Sequence, residues 1–358
     1  MFGVSDARGF TPKQWQFAFN YRGLKSDDHY SGTQFQHQRE SAGTYVVNTQ
    51  QLYDFSATYN FTNRVSVTGS LPVINSSWSI PTPIAPTPGQ RREQNSSGIG
   101  DAVAIARFWL MDPDKHPHGN VSGGVGIKAP TGDYDVQDEY PDLLTGSNNT
   151  LKAVDQSIQA GDGGWGAIFD LQAYRNWEHV TLYGSGTYLV NPRDTNGTPS
   201  IVVGLGFAAN PAVQDLLENS VPDQYIARLA TAFPVAKTPL SLSLGFRIEG
   251  MPRYDLIGDS HGFRRPGYET YVEPGIVYSH GVSTWSLYVP KGLVRNRRPN
   301  PYTGNPGDAT FPDYVILFGY SYRFGGESSA SRPVPDLPPA PEKPASPAGS
   351  SGLPVCGS

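Results

Sequence analysis

The sequence has very few of the residues on which several common folds depend. Its 358 residues include one cysteine and three methionines, and only 16% of them are charged. The single cysteine, Cys356, cannot form an intramolecular disulfide, so a disulfide framework is excluded. No run of about eighteen apolar residues occurs, which excludes a transmembrane helix. The net charge of −5 lacks the basic surplus typical of nucleic-acid binding, so we expect no nucleic-acid partner.

What the sequence does contain is a regular alternation of apolar and polar side chains. In residues 240–249 every second side chain is apolar. A period of two residues is that of a β-strand, whose successive side chains point to opposite faces. The pattern recurs along the whole chain without an accompanying helical pattern. A closed barrel whose apolar face meets lipid accounts for this most simply.

Counting these segments predicts about twelve strands. Short connections alternate with long ones between them, which is typical of periplasmic turns and extracellular loops. The sequence therefore predicts an all-β fold, a closed antiparallel transmembrane β-barrel in the bacterial outer membrane, surrounded by lipid and lipopolysaccharide. Closure would pair the first strand with the last. The predicted strands are 13–22, 45–60, 64–74, 100–110, 120–130, 164–175, 180–191, 223–234, 240–251, 267–278, 282–293 and 313–324.

The two ends of the chain differ from the barrel. Residues 1–12 are predicted to be an N-terminal periplasmic segment, and 13–324 the barrel. Residues 325–358 are rich in Pro, Ser and Gly and too poor in apolar residues to fold, so we expect a disordered periplasmic tail. Such a tail could reach a periplasmic partner or peptidoglycan. Because Met1 to Phe10 lack the features of a signal peptide, we expect the chain to be a mature or trimmed form.

The strand parity also predicts which side chains point into the barrel. A barrel closed by twelve strands has a backbone diameter of about 24 Å. Inward side chains narrow this to a passage of about 10 Å at most. Two interpretations stay open: the inward charges pair and fill the lumen, or they line a path for a solute. The predicted lumen residues are Asp54, Asp101, Arg107, Lys128, Asp170, Tyr174, Tyr183, Arg228, Arg247, Glu249, Glu269, Tyr271, Glu273 and Arg323.

Catalytic and metal chemistry find little support in the sequence. A membrane hydrolase needs Ser and His side chains on neighbouring strand positions, and every histidine here falls in a predicted turn or loop. His116 and His118 with Asp112 and Asp114 have spacings that are weak for a metal site, and solvated turn charge explains them better. The glycine-rich stretches precede no helix, so phosphate binding is not expected. We therefore predict no catalytic residue, no metal and no cofactor.

Several motifs, in their order along the chain, resemble one family. The motifs are KSDDHYSGT at 25–33, YNFTNR at 59–64 with SLP at 70–72, GIGD at 98–101, GIKAPTGD at 126–133, and VP at 289–290 with RNR at 295–297. Through them the chain resembles the outer-membrane barrels known as phenol-degradation (MetA) pathway transporters, and the resemblance spans nearly the whole barrel. It implies a channel for small, including aromatic, molecules and carries over no catalytic residue.

The last predicted strand ends in alternating aromatic residues. Tyr320, Tyr322 and Phe324 resemble the terminal signal that the barrel-assembly machinery reads, although here a tail follows it. The sequence thus favours a passive outer-membrane channel or transporter for small organic solutes. One alternative is a structural barrel that holds a partner through its loops or its Pro-rich tail. A second is an outer-membrane lipid hydrolase.

Overall fold

A computed structural model describes residues 11–85, 87–204, 208–304 and 307–326. Twelve strands form a closed antiparallel barrel, which confirms the predicted fold. Cys356, nearly all of the tail and most of the N-terminal segment lie outside the described residues, so the predictions for them remain predictions. The strands are β1 (Gln14–Ser31), β2 (Val47–Asn60), β3 (Val65–Thr82), β4 (Ala102–Trp109), β5 (Gly119–Ala129), β6 (Gly166–Asn176), β7 (Thr181–Val190), β8 (Gln224–Pro234), β9 (Leu240–Met251), β10 (Gly267–His280), β11 (Ser283–Tyr288 and Lys291–Arg297) and β12 (Ala309–Gly325).

The first and last strands close the barrel as predicted. Each strand pairs with the next along the chain, and β1 also pairs with β12. In that final ladder Trp15 lies opposite Phe324, and Tyr21 lies opposite Phe318. Closure matters because hydrocarbon offers no hydrogen-bonding partner, so an open edge would expose unpaired N–H and C=O groups to lipid.

The two faces of the wall follow the predicted parity. On β9, Leu244 is 51% exposed on the outside, whereas the neighbouring Ser243 is 6% exposed and its hydroxyl lies 2.9 Å from the Tyr183 hydroxyl. At the end near the short turns, aromatic rings cluster on the outside; the Phe17 and Phe324 centroids are 5.3 Å apart. An apolar belt with aromatic residues at its rim is the surface that a bilayer requires.

A parity test of the lipid face follows from these exposures. Replacing Leu244 with Arg places a charge in hydrocarbon and should lower the free energy of unfolding by about 2–4 kcal/mol. Ser243→Asn keeps a polar group inside and should cost clearly less. Leu244→Phe is the control for a change of size alone. Urea titration of the barrel in vesicles measures the free energy of unfolding of the three variants. Equal losses for the substitutions at positions 243 and 244 would contradict the assigned faces.

β11 is interrupted, which the sequence pattern does not show. The expected continuous strand at 282–293 instead breaks at Pro290, which has no N–H to donate to a ladder, and resumes to Arg297. Beyond the break, only Lys291 pairs with β12, opposite Tyr314. The guanidinium of Arg295 spans the widened gap, donating to the Pro312 carbonyl at 2.8 Å. A side chain therefore replaces part of the backbone ladder here.

The outer end is more structured than predicted. β1 continues well past the expected residue 22 by pairing with β2 and β12. β3 continues past residue 74 by pairing with β2 and with the segment Gln90–Ile99. No helix among the described residues is long and apolar enough to cross a membrane. The additional elements are strands Gln34–Phe35, Gln90–Ile99, Gln137–Tyr140, Thr150–Ala153, Thr195–Pro199 and Glu218–Ser220, α-helices His37–Ser41 and Ile201–Gly204, and 3-10 helices Gln156–Ile158 and Pro211–Leu216.

Candidate functional site

One segment of a long outer loop, residues 154–162, folds inward against the strands. Val154 and Ile158 are buried in an apolar cluster that includes Trp78 of β3. On β2, the Asn48 side-chain amide donates to the Ser157 hydroxyl at 2.7 Å. Apolar packing and hydrogen bonds thus fasten this segment, which we call the inner loop, to one side of the outer mouth.

An ion pair fastens the inner loop to the opposite side. Arg265, just before β10, donates to both carboxylate oxygens of Asp155 at 2.9 and 2.7 Å. Burial raises the pKa of Asp155, but the Arg265 charge and the hydrogen bonds to Arg265 and Ser157 outweigh it and hold that pKa below its usual range. A bidentate guanidinium–carboxylate pair fixes orientation as well as distance. We call this pair the latch.

A cavity of about 360 Å³ lies beneath the inner loop. Its walls include apolar side chains of separate strands, among them Leu52 of β2, Val103 of β4, Leu189 of β7 and Ile226 of β8. Because these strands lie around the barrel, the cavity is inside it. Ligand pockets usually measure about 300–1,000 Å³, so this one suits only a small molecule.

A charged group occupies one end of the cavity. Lys128 contacts Asp162 and lies 3.7 Å from Asp101, both of which line the cavity with it. The Asp101 carboxylate also accepts from the Gly132 and Asp162 backbone N–H groups at 3.0 and 3.1 Å. Two carboxylates facing one ammonium leave this end with one net negative charge.

Below the cavity, an apolar layer gives way to an ion pair. Val103, Ile105, Ile168 and Leu189 form a buried cluster. By parity the next inward pair on β4 and β6 is Arg107 and Asp170, with Arg107 donating to Asp170 at 3.0 and 2.7 Å. The predicted charges at these two positions therefore neutralise each other.

The largest charged network crosses the barrel. Arg22 of β1 donates to Glu249 of β9 at 2.5 Å, although three strands separate β9 from β1 around the wall. Arg247 donates to the other oxygen of Glu249 at 3.0 and 2.7 Å. Charges from strands that are not neighbours thus meet inside the barrel.

The network continues along β10. Glu273 is fully buried, contacts Arg228 and lies 3.7 Å from Arg247. The Arg228 guanidinium also lies over the rings of Tyr183 and Tyr288, at 4.8 and 4.4 Å from their centroids. Ring faces attract a desolvated cation, so Arg228 is stabilised by two rings as well as by the Glu273 carboxylate.

A second branch leads to the gap in β11. The Tyr271 hydroxyl donates to Glu269 at 2.8 Å and lies 3.2 Å from Glu249. Glu269 in turn pairs with Arg295 at 3.1 Å. Three glutamates, three tyrosines and four arginines inside the barrel are therefore linked in one chain of contacts.

Three predicted positions belong to none of the charged groups described above. Asp54 is 4% exposed and makes no ion pair with any residue that the structure describes. Tyr174 sits near the short turns, with its ring 5.6 Å from Trp109 and its hydroxyl 3.4 Å from the His116 carbonyl. Arg323 is partly buried and its backbone N–H donates to Val282.

The terminal aromatics of β12 face outward. Tyr320 stacks near Trp285, with centroids 5.3 Å apart, and Tyr322 lies 6.2 Å from Phe324. These contacts belong to the aromatic rim. Recognition of the three residues by the assembly machinery remains a prediction.

Sequence reasoning missed several partners. Arg22 continues the inward parity of β1, and the apolar Val103 and Ile105 follow from parity on β4, so counting along both strands would have found them. Asp155, Asp162 and Arg265 lie in loops, where no periodicity exists to indicate direction. In the described parts of the chain, no group of three or more His, Cys, Asp or Glu side chains could hold a metal ion.

Comparison with known proteins relates the barrel to others by fold. No protein-family model and no curated protein matches the chain. The structure is similar to an outer membrane channel from Pseudomonas putida F1, with a TM-score of 0.58 and 12% identity over 90% of this chain and 100% of that chain. Lower TM-scores relate it to the beta domain of the Bordetella autotransporter BrkA (0.44, 10% identity, 88% of this chain and 100% of that one) and to the Ralstonia pickettii toluene transporter TbuX (0.42, 10%, 88% and 90%). The chain therefore has the fold of a bacterial outer-membrane β-barrel.

Proposed function

We propose that this protein is a passive outer-membrane channel for small organic solutes, including those with a single aromatic ring. The observation that carries the proposal is the cavity of about 360 Å³ inside the barrel, with apolar walls and a loop for a roof. A purely structural barrel needs no such space, since side chains can fill its interior. The channel described for the similar Pseudomonas putida structure supports the proposal.

The predicted lumen residues form the lining of the proposed path. Most of their charges pair with one another, so they narrow the passage without giving it a strong field of one sign. Apolar walls at Leu52, Leu189 and Ile226 would accept a ring, while Lys128 and Asp162 offer polar contacts. Transport of phenol-pathway compounds is the finer form of this proposal, and no catalytic role is part of it.

Filling the cavity is the sharpest test. We expect Leu189→Trp to reduce the uptake of a single-ring solute several-fold, because the indole would occupy the cavity. Leu171→Trp on the lipid face is the matched control and should leave uptake unchanged. Swelling of proteoliposomes with solutes of graded size, together with conductance in planar bilayers, measures both. A shift on gel electrophoresis after boiling shows that each variant is folded.

The alternative is an anchoring barrel that holds a partner through its loops or tail. It would be favoured if the wild-type protein showed no conductance and no uptake of any small solute where a known porin works. Equal uptake by wild type and Leu189→Trp, with both conducting, would instead place the path away from the cavity.

A further inference from the structure

Asp54 is the inward carboxylate whose charge the described structure leaves without a partner. Its side chain is almost fully buried on β2, and its Oδ1 atom has no hydrogen-bond partner among the described residues. Burying an ionised carboxylate is costly unless hydrogen bonds or an opposite charge compensate it. The other inward acids all have such a partner, so Asp54 requires a separate explanation.

Residues of three neighbouring strands lie in one row with Asp54, and two of them carry a side-chain oxygen. Asn20 of β1 is directly opposite Asp54, Gly319 of β12 is opposite Asn20, and Ser286 of β11 is opposite Gly319. All four line a cavity of about 20 Å³. A cavity needs about 10–15 Å³ to hold one water-sized particle, so this one has room for a single small occupant.

The glycine in this row keeps the space open. A Cβ built on Gly319 would lie 2.6 Å from the Ser286 hydroxyl oxygen and 3.2 Å from the Asn20 side-chain oxygen. Both oxygens therefore converge on the place where any larger residue would put its side chain. Together with the Asp54 carboxylate they make a set of hard oxygen donors, the type that alkali and alkaline-earth cations prefer.

One positively charged group, Arg22, also lines this cavity. Its guanidinium donates to Glu249 of β9 at 2.5 Å, a carboxylate that it shares with Arg247. The other titratable side chains at the cavity besides Asp54 are Tyr21 and Tyr288, whose phenol groups bring no positive charge. Asp54 thus lines the cavity without an ion pair to any described residue.

We propose that Asp54, Asn20 and Ser286 form a binding site for one monovalent cation, with K⁺ as the probe, and that this site gives the lumen a preference for cations. A single carboxylate matches a single positive charge. The site shares Leu52 with the larger cavity. None of the polar side chains around the site lines that larger cavity. A bound cation predicts that the stability of the barrel depends on which cation is present as well as on the salt concentration.

The first test does not require the barrel to conduct. The unfolding midpoint of the whole protein in detergent is compared in KCl and in choline chloride at equal ionic strength. A cation that binds only the folded state should raise the wild-type midpoint by about 2 °C or more in KCl. Asp54→Asn removes the charge, and Gly319→Ala fills the space while leaving the charge, so both should abolish the difference. Ser56→Ala, at the next inward position of β2, is the control and should retain it.

The second test rests on the proposed channel function. The reversal potential across a KCl gradient should show a cation preference in the wild type that falls about twofold in Asp54→Asn and in Gly319→Ala. If Gly319→Ala keeps the preference, the charge acts through space without a bound ion, and the site is overturned. Equal wild-type midpoints in the two salts would also overturn it. Salt-specific stabilisation without any conductance would instead contradict the channel and leave the site standing.

Discussion

Replacing Glu273 with alanine should lower the free energy of unfolding by about 3–5 kcal/mol. Its carboxylate is fully buried between the guanidinium groups of Arg228 and Arg247. Removing it leaves Arg228 without a carboxylate partner and Arg247 with Glu249 alone. The ring faces around Arg228 replace only part of the lost attraction. Urea titration in vesicles, followed by tryptophan fluorescence, measures the loss.

Two variants separate this effect from a general loss of charge. Glu178→Ala, on an exposed turn, should change stability very little. The double variant Arg228→Met and Glu273→Leu removes both partners of the buried pair and should recover much of the stability that Glu273→Ala loses. A cost below about 1 kcal/mol for Glu273→Ala would show that water reaches Arg228 and that the network is not desolvated.

Breaking the latch should open the channel. The bidentate pair between Arg265 and Asp155 connects the inner loop to the wall opposite its apolar anchor. Charge-assisted hydrogen bonds contribute about 1.5–3 kcal/mol, so losing them should raise the population of loop positions away from the cavity by at least about tenfold. We expect Arg265→Ala to increase conductance and to admit larger solutes in swelling assays.

The latch also predicts a pH dependence with a definite sign. Because the pKa of Asp155 is held below its usual range, the pair is fully formed above about pH 4 and is lost as the pH falls through the lowered pKa. The latch should therefore cause no change in wild-type conductance between about pH 7 and pH 5. Conductance should rise through loss of the latch only under more acidic conditions. Asp155→Asn should already be open at neutral pH. An Arg265→Ala channel with unchanged conductance and size limit would show that the apolar anchor alone holds the loop.

The number of strands, their order and their faces could all be predicted from the sequence. Alternation is a local property, since each residue in a strand points opposite to its neighbour whatever the rest of the chain does. Leu244 outside and Ser243 inside followed from parity alone, and so did closure between β1 and β12, because no strand edge can face lipid. The strand ends were less predictable, since β3 continues by pairing with a loop segment above the membrane.

The contacts inside the barrel depended on the tertiary structure. Parity placed Glu249 on the inner face, but its meeting with Arg22 depends on the curvature and stagger that bring the inner faces of two separated strands together. The inner loop has no periodic pattern, so neither its inward path nor the latch could be read from residue types. Local alternation determined that this chain is a barrel with charges inside. Only closure decided that most of these charges neutralise one another, that a loop roofs an apolar cavity, and that Asp54 makes no ion pair with any described residue.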